Sequence, residues 1–389
     1  MHSVTAILDR ELSFDPNGDL DAFLKSAPAK WVVYLLADEH GAPVQLLCVK
    51  NLRYSLKRRL GGEEDIGPSR RVDYRQIVRR IYYKRVDSAF EADLVYYEAA
   101  RGCFPQTYQG MVGFRPTWFV HVDPAAEFPR FQKTTDLSPR AGKLIGPIED
   151  KHSAQTMVEQ AEDLFDLCRY YNVLIEAPHG RACAYKEMGK CPAPCDGSST
   201  MIDYRAAVTR AADAVVDPSR EIERDTLRMK QAAVELKFEL AGRIKSHADS
   251  LAKFGKGPFR HARAIDDLRF ISLQRGPGRA SVKVFLITPG RVELAMCLID
   301  VPEKSAAILR ELLATDFTTA AALNDPAGAE RMGVVSHHLF TAKATQGVFL
   351  PTSAVDEKSF TKAYRDLLKQ KVIEASEEDE GVIKELQAV

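Results

Sequence analysis

Cys168, Cys183, Cys191 and Cys195 are the residues whose type and spacing could do chemistry. Three of them fall in the thirteen residues from Cys183 to Cys195, and the four are separated by fourteen, seven and three residues. Four soft thiolates within a short span are the donor set of a tetrahedral zinc or a cubane iron–sulfur cluster. Gly189, Pro192 and Pro194 allow or fix the sharp bends that turn such close ligands toward one centre. The spacing is not the paired short-spacer pattern of a zinc ribbon. Taken alone it leaves zinc, an iron–sulfur cluster and unrelated buried cysteines all open. Cys48, Cys103 and Cys297 sit singly in apolar surroundings and read as core residues.

The bulk properties place these thiols. With 389 residues, 45% apolar and 28% charged, the chain has the composition of a globular protein of roughly two to three domains. Its first residues lack a positively charged segment followed by an apolar one. Seven cysteines then fit a reducing, cytoplasmic setting. No apolar run reaches the roughly 18 residues of a membrane span, so no membrane partner is expected. Net charge is zero but uneven. Lys50 to Arg85 holds twelve Lys or Arg against four acids, and Glu374 to Val389 holds six acids against Lys384. A local excess of eight positive charges can attract phosphate, which makes Lys50, Arg53, Lys57, Arg58 and Arg59 candidate DNA contacts; a solvated helix face is the alternative.

The elements that must position these residues follow from pattern. Residues 1–30 are polar and turn-containing and read as a lead-in. Trp31 to Leu36 and Val44 to Val49 are β-prone runs around the turn Asp38-Glu39-His40-Gly41, a hairpin. Asn51 to Leu60 is a basic helix with Leu52, Leu56 and Leu60 on one stripe. Ser153 to Arg169 is helical by period, with Ser153 as its N-cap. Asp217-Pro218 opens a long helical stretch to Phe254, and the register break at Leu236-Lys237-Phe238-Glu239 predicts a helical hairpin. Arg269 to Leu273, Ser281 to Ile287 and Val292 to Ile299 read as strands. His337 and His338 read as surface residues pointing different ways.

The segment Arg181-Ala182-Cys183, Tyr185, Gly189-Lys190-Cys191, Ala193-Pro194-Cys195 resembles the cysteine block of the UvrC family, a component of the bacterial excision-repair nuclease. Phe128-Pro129-Arg130, Gly146-Pro147 and Ser153-Ala154 resemble family segments in the same order. Leu227 to Ile244 is similar to the UVR hairpin that docks onto the damage-verifying helicase, UvrB. The resemblance runs from Trp31 to Asp300. It implies a [4Fe–4S] cluster on Cys168, Cys183, Cys191 and Cys195, with zinc as the alternative. It also implies DNA and a UvrB-like helicase as partners, the latter through Leu236, Phe238 and Glu239.

The family's N-terminal domain is a GIY-YIG nuclease, in which a tyrosine helps deprotonate the attacking water, an arginine stabilises phosphate charge and a glutamate holds one divalent metal. Here Trp31-Val32-Val33-Tyr34 keeps the first tyrosine. Gln45-Leu46-Leu47-Cys48 replaces the second motif, and Asn51-Leu52-Arg53-Tyr54-Ser55 puts Ser55 at the arginine position. Glu91-Ala92 matches the metal-ligand helix. Tyr34 and Glu91 are thus the expected catalytic remnants, with Gln45 and Ser55 in place of tyrosine and arginine. A serine cannot offer a phosphate the bidentate charge of an arginine, and loss of one such group typically costs on the order of 10²–10³ in rate. The family's second, RNase H-like nuclease would follow residue 300 and is not expected in full.

The expected architecture is α+β and multidomain. It comprises a lead-in (1–30), a degenerate GIY-YIG-like small mixed sheet with helices (31–108), a connector carrying the Cys-rich motif (109–200), a UVR-like helical hairpin (201–256) and a truncated C-terminal α/β remnant of the RNase H-like half (257–389). The expected function is a UvrC-like excision-repair protein that binds DNA and a UvrB-like partner without cutting. The alternative is an active single-incision endonuclease with a rebuilt site and Mg²⁺ or Mn²⁺.

Overall fold

The computed structural model describes residues 2–61, 73–113, 116–299, 305–315, 323–341, 347–370 and 382–387. Part of the basic run (62–72) and most of the acidic C-terminal stretch (371–381) lie outside the described residues. The architecture is α+β, with three antiparallel sheets.

The first sheet begins inside the stretch expected as a lead-in. After α1 (His2–Ile7), β1 (Arg10–Ser13) forms its edge, and α2 (Leu20–Ser26) follows. β2 (Val32–Ala37) and β3 (Pro43–Val49) make the expected hairpin, and Gly41 takes a left-handed φ of 79° in its turn. Asn51 caps the basic helix α3 (Leu52–Leu60) by accepting from Tyr54 N at 3.1 Å. After α4 (Tyr74–Ile77) and β4 (Arg80–Arg85) comes α5 (Ala89–Cys103), capped by Ser88, and then α6 (Tyr108–Met111). β2 is buried on both faces. Val33, Leu35 and Ala37 face the α5 side, whereas Val32, Tyr34 and Leu36 pack with Leu52, Leu56 and Leu60 on the α3 side.

The stretch after residue 109 is more regular than its composition suggests. β5 (Trp118–Val122), β6 (Phe131–Thr134) and β7 (Lys143–Ile148) build a second sheet. A Cβ at Gly146 would stand 2.5 Å from the Phe119 ring, so glycine is required there. α7 (Lys151–Leu164) is capped by Asp150 rather than by Ser153, whose own N–H donates to the Asp150 carboxylate at 2.8 Å, and it ends before Arg169. Two one-turn helices, α8 (Tyr171–Leu174) and α9 (Ala184–Glu187), lead to α10 (Met201–Val216), which packs on α7 in a separate core.

α11 (Ser219–Val234) and α12 (Phe238–Leu251) form the expected hairpin, turning through Leu236 at φ 58°. β8 (Arg263–Ala264) then adds to the second sheet. β9 (Phe270–Arg275), β10 (Ser281–Thr288) and β11 (Arg291–Ile299) follow the expected strands and form the third sheet with β12 (Gly347–Pro351). Helices α13 (Ser305–Ala314) and α15 (Glu357–Lys369) cover one face of it, while α14 (Pro326–Phe340) packs on α5. This third sheet is antiparallel throughout, so the C-terminal part is α+β rather than the expected α/β. β13 (Val382–Gln387) pairs with β3, which returns the last described strand to the first sheet.

Three single residues differ from expectation. Cys48 is buried, but Cys103 is half-buried and Cys297 is exposed, because β11 is an edge strand. His338 is not a plain surface residue: its Nε2 lies 2.8 Å from Asp93 on α5.

His261 connects the segment before β8 to the end of α14. Its ring lies edge-on to Phe340 and Phe270, and Nε2 is 3.2 Å from the Leu339 carbonyl. Burial first, then Arg260, bring its pKa down to about 4. A depressed folded value means that this contribution to stability is full above the unfolded value near 6.5 and is lost as pH falls toward 4. Urea denaturation between pH 7 and 4 is therefore expected to show a smaller acid loss in His261→Gln than in the wild type.

Candidate metal centre and the expected nuclease residues

The four cysteines lie near one another at the end of the second core. Cys168 follows α7, Cys183 precedes α9, and Cys191 and Cys195 lie in the loop before α10; all four are free thiols. Cys168, Cys191 and Cys195 are buried and Cys183 is half-buried. Left-handed backbone at Gly189 (φ 67°), Ala193 (φ 55°) and Gly197 (φ 78°) curls this loop back on itself. Cys168 and Cys191 share a thiol hydrogen bond, Cys168 Sγ also lies 3.5 Å from the Tyr170 carbonyl, and Cys195 in turn senses Cys191 and Cys183. The Cys168–Cys191 hydrogen bond, aided by the Ala193 N–H and Arg169, brings Cys191 down to about 6 despite burial, while Cys168 is pushed up.

The shell around the thiols is built. The backbone N–H of Cys168 donates to the buried Tyr204 hydroxyl at 3.2 Å. Arg169 lies over the Tyr185 ring at 4.3 Å and donates to the Lys190 carbonyl at 3.0 Å, joining both ends of the loop. Four neighbouring cysteine sulfurs with a nearby guanidinium have the donor chemistry of a four-thiolate metal or cluster, and are poorly suited to a hard, oxygen-seeking cation.

The expected nuclease remnants are not brought together. Tyr34 lies on the α3 side of the first sheet, fully buried, with its hydroxyl 2.5 Å from Ser55 Oγ. Arg59, one turn after Ser55, donates to Ser55 Oγ at 3.1 Å and to Gln45 Oε1 at 3.3 Å. A guanidinium thus reaches the position that sequence order assigns to serine, through the helical i, i+4 relation of Ser55 and Arg59. Glu91 is on α5, across the sheet. Its carboxylate accepts from Lys283 on β10 at 2.7 and 2.8 Å, and the same ammonium meets Asp87 at 2.6 Å. Burial raises the Glu91 pKa and Lys283 only partly offsets this. Against the same burial, Glu91 and Asp87 hold the Lys283 ammonium above its ordinary value. A lysine stands where a ligand glutamate would need a divalent ion. No local signal in the sequence pointed to Lys283, which lies 192 residues away.

Of the basic residues, Arg53, Lys57 and Arg58 are exposed on α3, and Lys50 is half-buried at its start. Arg53 also donates to the Ala27 carbonyl at 3.0 Å, tying α3 to the end of α2. At the hairpin tip Val234, Leu236 and Phe238 are 83%, 73% and 67% exposed, and Glu239 is exposed beside them. The hairpin base is fixed: buried Asp225 pairs with His247 at 2.5 Å, and His247 Nε2 is 3.0 Å from the Leu164 carbonyl of α7.

Residues 117–214, the second sheet with the complete cysteine set, match the family model of the UvrC/Cho excinuclease middle domain. Over this domain and its flanks the chain is similar to the UvrC family. It is 25% identical over 278 residues to the UvrABC system protein C of Caldanaerobacter subterraneus, an alignment covering 70% of this chain and 45% of that protein. The corresponding protein of Trichlorobacter lovleyi is 25% identical over 221 residues, 57% of this chain and 36% of the relative. The chain thus spans less than half the length of these UvrC relatives. No solved structure matches. Among the described residues no helix is long and apolar enough to cross a membrane.

Removing Lys283 leaves two carboxylates facing each other out of water. Lys283→Met is expected to destabilise the protein by about 3–5 kcal/mol near neutral pH, the usual consequence of breaking a buried ion pair. Without the ammonium the folded-state carboxyl pKa values rise, so this deficit grows as pH increases above about 4.5. Urea denaturation at pH 5 and 8 measures it, and adding Glu91→Gln should restore part of the loss.

Proposed function

We propose that this UvrC-family protein acts in excision-type DNA repair, binding DNA and a UvrB-like helicase without cutting, and that its four cysteines hold a [4Fe–4S] cluster. The observation that carries the reading is an asymmetry. The four cysteines are neighbours in one loop region, whereas Tyr34 and Glu91 lie on opposite faces of a sheet and Glu91 is paired with Lys283. In the bound cluster the iron would be held by Cys168, Cys183, Cys191 and Cys195. The role of Arg169 and Tyr204 would be to fix the loop and compensate thiolate charge. The exposed cations of α3 supply a phosphate-binding face without a cutting site behind it.

Anaerobic purification followed by iron, sulfide and zinc analysis tests the cluster. Iron and sulfide near four each per chain are expected, with a large loss in Cys191→Ser; a metal-free, well-folded wild type would overturn this part. DNA binding should weaken steeply with salt, with no nicking in Mg²⁺ or Mn²⁺.

One observation favours the second reading, an active single-incision enzyme: Arg59 reaches the Tyr34–Ser55 pair. Metal-dependent nicking abolished by both Tyr34→Phe and Arg59→Ala would establish that reading instead.

The hairpin tip is assigned to the helicase partner, because three large apolar side chains facing water beside Glu239 resemble an anchor awaiting a groove. Phe238→Ala should weaken capture of a UvrB-like protein by tenfold or more, roughly the cost of losing one buried aromatic anchor. The fold should be unaffected, since Phe238 is exposed.

A further inference from the structure

Helices α5 and α14 pack side by side, and near the end of α14 three metal-ligating side chains meet. Asp93 on α5 has its carboxylate 2.8 Å from Nε2 of His338. The His337 and His338 rings are 5.2 Å apart and nearly perpendicular, and one ligand atom from each of Asp93, His337 and His338 lies within 4.8 Å of the others. The His338 ring is further oriented by an edge contact with Phe90 at 5.4 Å. Asp93 and His338 are largely withdrawn from water, with side chains 13% and 15% exposed, while His337 is exposed on the rim.

We propose that Asp93, His337 and His338 form a binding site for a late first-row divalent cation, Zn²⁺ in the first instance. An ordinary structural ion pair needs only Asp93 and His338; the third group brings a second imidazole nitrogen to the same point. Two imidazoles and one carboxylate suit Zn²⁺, Ni²⁺ or Fe²⁺ and discriminate against Mg²⁺ and Ca²⁺, which prefer oxygen. With bonds of about 2.0–2.1 Å, tetrahedral ligand atoms stand roughly 3.3 Å apart. The Asp93–His338 pair is already closer than that, with a proton where the cation would go. His337 stands exposed on the rim of the pair. Three protein ligands leave a position for water. The ion would join α5 to α14, so binding reinforces a contact between distant parts of the chain. This site is separate from the cysteine centre and shares no residue with it.

The test uses the full chain, with metal at the cysteine centre measured in parallel. Zn²⁺ is titrated calorimetrically into the wild type, His337→Ala and Asp93→Asn, and melting is followed with and without Zn²⁺. The wild type should bind one equivalent beyond the cysteine-held metal and melt at a higher temperature with it. His337→Ala keeps the Asp93–His338 pair and changes only an exposed side chain, so it should fold normally. It should bind that equivalent at least about 100-fold more weakly, the upper end of what losing even an outer-shell partner costs. Cobalt in the site should give visible absorption without thiolate-to-cobalt charge transfer. Equal zinc stoichiometry and affinity in the wild type and His337→Ala would overturn the proposal, as would a wild type that binds no zinc beyond its cysteine centre.

Discussion

The rest of the structure depends on how α5 is buried. Phe90, Ala92, Val95, Tyr96, Ala99 and Ala100 are all within the core that joins the first sheet to Phe119 of the second, Phe285 of the third and Met332 of α14. A helix enclosed on so many sides cannot leave its polar groups solvated, and an unpaired buried charge costs several kcal/mol. Its charges therefore find partners from the C-terminal part. Glu91 meets Lys283, Asp93 meets His338, and Glu98 meets Arg331 at 2.5 Å. Tyr97 donates to Glu330 at 2.6 Å. The apolar packing brings the two parts together, and the ion pairs set the register at which they dock.

That constraint bears directly on chemistry. The helix that sequence order offers as a metal-ligand helix uses its carboxylates as docking groups. The tyrosine expected to work with it points to the opposite side of β2, where Ser55, Arg59 and Gln45 enclose it. The cysteine centre escapes this competition because it belongs to a different core, built by α7, α10 and the second sheet. Its thiols are held by a loop whose left-handed residues and Arg169 clamp do not involve α5.

What the sequence by itself determined was local and ordered. Alternation marked β2 and β3 and the 3.6-residue period marked α3, while the register break at Leu236 marked the hairpin turn. The cysteine spacing, read in its family order, named four thiols that fold into one neighbourhood. β6 and β7 were hidden in a Gly- and Pro-containing stretch because their pairing partners, not their own propensity, make them strands. Only the tertiary structure decided which face each residue serves. Tyr34 and Glu91 look like members of one site in the sequence, yet one strand's two-residue alternation and one helix's packing put a sheet between them. Lys283, Arg59 and His338 acquire their meaning from partners brought near by folding. Desolvation pairs charges across any separation in the chain, and no local pattern records it.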